Sequence, residues 1–157
     1  MIEDVTAKNN QHHGMYLTGI GITVNNANIK NNEYGLQIGP VAEMNEITLA
    51  GDISMTNNYY GFATATSSRG TVYVTGNLIS NHNEYGVATD SDKFTLVVGG
   101  SYSGKSGKSG SGSLTACENN QYDINNAGGS TFEGTDYTCD TKVGTNLPEC
   151  KPCPGCL

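Results

Sequence analysis

A polar phrase recurs along this chain of 157 residues. It reads "NNEYGL" from Asn31, "NNYYGF" from Asn57, "HNEYGV" from His82 and, more loosely, "NNQYDI" from Asn119. Aligned on it, Gly14, Gly35, Gly61, Gly86 and Asp123 share one column, at steps of 21, 26, 25 and 37 residues. The last step exceeds its predecessor by twelve (37 − 25), the length of the inserted "SGKSGKSGSGSL". The nine residues ending at that column need no gap. They place His13, Tyr34, Tyr60, Tyr85 and Tyr122 together, then Asn10, Asn31, Asn57, His82 and Asn119, then Gln11, Asn32, Asn58, Asn83 and Asn120. A repeat of this length is the mark of a chain that stacks on copies of itself.

Each phrase is followed by a short alternating run ("MYL", "LQI", "FAT", "VAT", "INN"), the period of a strand. A second strand follows at "ITV", "ITL", "VYV" and "LVV". Ile22/Val24, Ile47/Leu49, Val72/Val74 and Leu96/Val98 are expected inside, with Thr23, Thr48, Tyr73 and Val97 outside. A third run (Ile53 and Met55; Leu78 and Ser80) leads to the next phrase. Three strands per turn of about 25 residues predict an all-β solenoid of about five coils. Parallel stacking sets equivalent residues about 4.8 Å apart. Asn10, Asn31, Asn57, Asn119, Asn32, Asn58, Asn83 and Asn120 are then expected to form an amide ladder, and Tyr34, Tyr60, Tyr85 and Tyr122 an aromatic one. The glycine after tyrosine implies an unusual backbone angle or a close approach.

The pattern resembles the right-handed parallel β-helix of the pectate-lyase-like superfamily over residues 2–139, through its repeat rather than any catalytic signature. The resemblance implies an alternative function, a polysaccharide-active lyase or hydrolase. Lyases of that type use calcium held by acidic residues and an arginine or lysine base, but Arg69, the single arginine, has no acidic cluster in its coil. The Gly-His-Gly phrase of the polygalacturonase-like enzymes is missing. Glu33 and Glu84 share a column two coils apart, about 9.6 Å from twice the strand spacing. That is just beyond the inverting-glycosidase range of about 6.5–9.5 Å, and the plain reading is two solvated glutamates. Adjacent His12 and His13 point different ways, which disfavours a metal triad. Asp90 and Asp92, with Glu43 and Glu46, offer carboxylates for calcium but complete no ligand motif, so no cofactor is assigned.

Composition narrows the partners. The net charge is −7 with only eight basic residues, which argues against nucleic acid. No stretch approaches the roughly 20 apolar residues of a membrane helix. The start "MIEDVTAKNN" is no signal peptide and begins in mid-coil, which reads as a fragment or as a face that stacks on flanking repeats or on copies of the chain. Cys117 and Cys139 lie 22 residues apart, near one coil, so a disulfide between them is expected to clamp the last coil and to place the protein in an oxidising compartment. Cys150, Cys153 and Cys156 in "LPECKPCPGCL" fall short of a zinc set and read as the start of a disulfide-bonded segment. The domain reading is a β-helix over 1–140, with a flexible Ser/Gly/Lys insertion at 103–113, and a Cys/Pro-rich tail or linker over 141–157. Such inserts and tails are similar in style to secreted proteins of diatoms and related algae.

The expected function is a non-enzymatic, extracellular or cell-surface structural or adhesive module that assembles with itself as a filament or binds carbohydrate. The candidate ligand-facing residues are Tyr16, Tyr59, Tyr73, Glu33 and Glu84, because outward tyrosines and polar groups suit sugars.

Overall fold

The structure, a computed structural model, describes residues 1–40, 44–101, 109–110 and 112–154. It is an all-β parallel solenoid of about five coils, and the described residues contain no helix. Three faces wind around one core. The first carries β2 (His13–Leu17), β4 (Tyr34–Ile38), β6 (Tyr60–Thr64), β9 (Tyr85–Ala88), β14 (Tyr122–Asn126) and β17 (Lys142–Gly144). The second carries the first halves of β3 (Ile20–Lys30) and β5 (Asn45–Thr56), then β7 (Gly70–Val74), β10 (Phe94–Val98) and β15 (Thr131–Gly134). The third carries the main part of β1 (Ile2–Lys8), whose first two residues pair with the second-face half of β3, the second halves of β3 and β5, then β8 (Asn77–Asn81), β13 (Ser113–Thr115) and β16 (Tyr137–Thr138).

Strands β3 and β5 turn the corner between the second and third faces without breaking. The register shifts between Asn25 and Ala27, where Asn26 (φ 59°) takes up the bend in one coil and Gly51 (φ 62°) in the next. In later coils the same corner separates β7 from β8. At the coil after that, β11 (Gly100–Ser101) pairs antiparallel with β12 (Ser109–Gly110) as the insertion leaves and returns. The remainder of the insertion expected at 103–113 lies mostly outside the described residues, as do Glu43 and Cys156.

Register puts like on like. Met15, Leu36, Phe62, Val87 and Ile124 form one apolar column, and Ile22, Ile47, Val72, Leu96 and Phe132 another. Most of these side chains are fully buried, each contributing about 1.5–3 kcal/mol through removal from water. The outward residues of β7 and β10 depart from expectation. Tyr73 and Val97 were expected to face solvent but are only 6% exposed. "VYV" and "LVV" are continuous apolar runs, and such runs mark strands covered on both faces. Tyr73 is therefore not a ligand-facing residue.

Residues 141–154 stay on the solenoid. Strand β17 pairs with β14, Lys151 bridges to Thr138, and Leu147 packs against the core. The expected Cys117–Cys139 disulfide does not form. Cys117 bonds Cys153 and Cys139 bonds Cys150. Cys117 and Cys139 occupy successive coils, but each faces a segment that folds back from the tail, and that return was not visible in the repeat.

Candidate functional site

The corner before the first face is built by three neighbouring positions in each coil. The first is left-handed: Asn9, Asn31, Asn57, His82 and Glu118 all have φ between 55° and 59°. Asparagine tolerates that conformation better than most residues, which explains its abundance here. The second position is the amide ladder. Asn10 and Asn32 are joined at 2.9 Å, Asn32 and Asn58 at 3.1 Å, and Asn58 and Asn83 at 3.1 Å, the upper Nδ2 donating to the lower Oδ1 each time. The Asn83 backbone N–H then donates to Asn119 Oδ1 at 2.9 Å. Spare amide hydrogens reach main-chain carbonyls, as from Asn58 to Ile29 and from Asn83 to Met55. The third position is the glycine column. A Cβ on Gly35 would stand 2.6 Å from the Gly61 carbonyl and 3.0 Å from Asn58 Nδ2. The glycine is therefore there for close approach, since none of Gly14, Gly35, Gly61 or Gly86 has a positive φ.

This geometry corrects the gapless alignment. In the first and last coils one extra residue separates the ladder asparagine from the aromatic column, so the rungs are Asn10, Asn32, Asn58, Asn83 and Asn119. Asn31 belongs to the exposed left-handed column, where it donates to Asn9 Oδ1 at 2.9 Å, and Asn57 stands in the same column. Asn120 is exposed and donates to Glu84 at 3.1 Å. These three are not rungs of the internal ladder. A corner loop absorbs an extra residue without disturbing the strands, and an alignment anchored on Tyr-Gly does not see it.

Beside the ladder runs an aromatic strip on the outside of the first face. His13 stacks on Tyr34 at 5.1 Å, Tyr34 on Tyr60 at 5.0 Å and Tyr60 on Tyr85 at 5.2 Å, with interplanar angles of 17–20°. Tyr122 continues it at 6.5 Å and 33°. The rings are partly exposed. Their faces cover one another, so edges meet solvent. Burial and then the Glu33 carboxylate raise the Tyr34 phenol above the usual 10.0; burial and then neighbouring Tyr59 do the same for Tyr60 and Tyr85.

The strip forms one wall of a trough of about 250 Å³. Tyr34 and Tyr60 line it together with Gln37, Ala63, Thr64, Thr66, Ala88 and Asp90. Alanines stand at outward positions of β6 and β9, so the floor is low. No protein-family model, curated protein or solved structure matches the chain. The trough is therefore read from its own chemistry. Of the ligand-facing candidates, Tyr16 and Tyr59 are half exposed. Tyr59 meets Tyr60 at 4.8 Å and Tyr85 at 5.7 Å, both edge to face. Tyr16 meets His13 edge to face at 5.1 Å. Glu33 is paired with His12 at 2.9 Å, and Glu84 accepts from Asn120. Tyr59 stands between the two glutamates in the stack, and each glutamate has its own partner.

Three features at the other corners and the far end were not read from the sequence. Asp123, which shares the glycine column in the sequence, proves to end the amide ladder. Its Oδ1 accepts from the Asn119 side chain at 2.8 Å, and its Oδ2 accepts from the Asp140 and Thr141 N–H groups at 2.9 and 3.0 Å. A serine ladder is buried at the end of the first face, where Ser91 donates to the Ser68 carbonyl and Ser130 to the Ser91 carbonyl. An outer ladder runs from Asn26 to Asp4 and from Asn77 to Asp52, and Ser113 donates to Asn77. Its residues carry no repeated phrase, and their steps of 22, 25 and 36 residues follow the unequal coil lengths. Asp123, Asp140 and Cys153 are the one group of potential metal donors converging among the described residues, within 4.8 Å. Cys153 is in a disulfide and both carboxylates accept main-chain N–H groups, so this set is structural.

Proposed function

We propose that the protein is a non-enzymatic extracellular module of structural or adhesive type, related to the right-handed pectate-lyase-like β-helices and to secreted algal proteins, that holds a neutral carbohydrate chain along its first face. The observation that carries the reading is the trough beside the tyrosine strip. It combines aromatic edges with an amide, two threonine hydroxyls and a carboxylate, the mixture that recognises sugars. Its lining comes from three successive coils, so a stretch of a few sugars would lie across them. Half-exposed Tyr16, in register beside the trough residue Gln37, remains to pack against a sugar ring.

Charge selects the sugar. Asp90 lines the trough, no lysine, arginine or histidine among the described residues does, and the chain carries −7 overall. A polyuronate would be repelled; a neutral or N-acetylated glycan would not. The two disulfides support an oxidising, extracellular setting. The test is binding of the native protein to a neutral β-linked glycan and to a polyuronate of matched length by titration calorimetry. The expected result is binding of the neutral polymer alone, weakened in Tyr16→Ala. Release of reducing or unsaturated ends would favour a lyase or hydrolase instead. Large particles in the absence of glycan would favour self-assembly.

A further inference from the structure

Tyr59 is unlike the other tyrosines of the strip. Tyr34, Tyr60 and Tyr85 lie nearly parallel with their faces occupied by one another, whereas Tyr59 stands outside the stack at 50% exposure. Its ring centre is 5.7 Å from that of Tyr85, at an interplanar angle of 61°. The backbone fixes the pair one coil apart, since the Tyr85 N–H donates to the Tyr59 carbonyl at 2.9 Å. The two rings thus meet edge to face at the surface, one coil apart. Ortho–ortho coupling needs only the half-exposed Tyr59 ring to turn its edge toward the solvent-facing edge of Tyr85, which keeps its place in the stack.

We propose that Tyr59 and Tyr85 form an oxidative cross-linking site, closed to a dityrosine bridge between neighbouring coils by a haem peroxidase using hydrogen peroxide. Each phenol gives up one electron and one proton. The two phenoxyl radicals couple at the ring carbons ortho to oxygen, and the hydrogens on those carbons shift to the oxygens to restore both aromatic rings. The protein loses two hydrogen atoms in all, and one hydrogen peroxide is reduced to two waters.

The pairs within the stack, the Tyr59–Tyr60 pair, Tyr137 and Tyr16 lack this arrangement. Within the stack, coupling would require face-to-face rings to swing end to end, which breaks the strip. Tyr59 and Tyr60 are sequence neighbours held nearly perpendicular at 80°. Tyr137 is buried, and its hydroxyl donates to the Glu133 and Leu96 carbonyls. Tyr73 is buried, and Tyr16 packs on His13 rather than on a tyrosine.

The bridge is tested on the purified protein, diluted to suppress dimers and treated with peroxidase and limiting hydrogen peroxide. The expected result is dityrosine fluorescence in the monomer, an intact mass lower by two hydrogens, and a cross-linked peptide joining Tyr59 to Tyr85. Tyr59→Phe and Tyr85→Phe should each remove the monomer signal while remaining folded by circular dichroism, and Tyr16→Phe should keep it. Peptide mapping of the unaltered protein decides the matter even if a variant misfolds. A link mapped to another pair, cross-linking only between molecules, or no coupling under conditions that couple free tyrosine amide would overturn the proposal.

Discussion

At the scale of single residues, the corner depends on asparagines that each satisfy several main-chain groups at once. Asn58 accepts from the Asn32 backbone and side chain at 3.0 and 3.1 Å, and donates to Asn83 and Ile29. Asn58→Leu leaves those partners buried and unpaired, so a loss of about 3 kcal/mol is expected. In a chain of this size that lowers the melting temperature by roughly 10 °C, measurable by circular dichroism. Gly35→Ala is expected to cost about 1–3 kcal/mol, because the atom met by the new methyl is a strand carbonyl that cannot step aside. A urea titration would show the lower midpoint. The repeated phrase announced both columns. It did not say which asparagine of each pair turns inward, because that choice follows from a left-handed residue at the preceding position, and φ leaves no direct mark on composition.

At the scale of elements, the aromatic strip was the most legible part, since one tyrosine per coil at constant spacing from a strand can only stack. Its titration is a consequence. The phenols of Tyr34, Tyr60 and Tyr85 are raised above 10.0, first by burial and then by neighbouring charges. Below pH 10 folded and unfolded chains hold these protons alike. Above it the unfolded chain releases them first, so stability is expected to fall as pH rises beyond about 10. Ultraviolet titration should show these phenolates forming later than those of a denatured sample. Tyr137, enclosed by the core with its hydroxyl bound to two carbonyls, should ionise only as the coil melts. Strands β7 and β10 were less legible: alternation placed Tyr73 and Val97 outside, and the apolar character of the whole run was the better guide.

At the scale of the whole molecule, the far end of the solenoid is closed chemically. Asp123 ends the amide ladder, and two disulfides tie the returning tail to the last coils. By loop-closure entropy the Cys117–Cys153 bond, spanning 36 residues, is worth about 4 kcal/mol, and the Cys139–Cys150 bond, spanning 11, about 3 kcal/mol. Because the loops overlap, the sum is an upper limit. Reduction is expected to loosen this end first. Hydrogen exchange should then rise through β13, β14, β16 and β17 before β4 and β6 respond, because each coil of a solenoid rests mainly on its neighbours. Uniform loss of protection would show instead that the solenoid unfolds as one unit.

The sequence by itself determined the coil, its period, the three strands of each turn and the stacking of tyrosine on tyrosine. Those follow from local alternation and equal spacing, which are properties of the chain alone. Tertiary structure decided the rest: which asparagines became rungs, which outward side chains were covered, how the cysteines paired, and that Tyr59 meets Tyr85. Each of these depends on what the next coil or a returning segment brings to the same place, and a repeat specifies neighbours of its own kind while leaving open where the irregular parts of the chain will land.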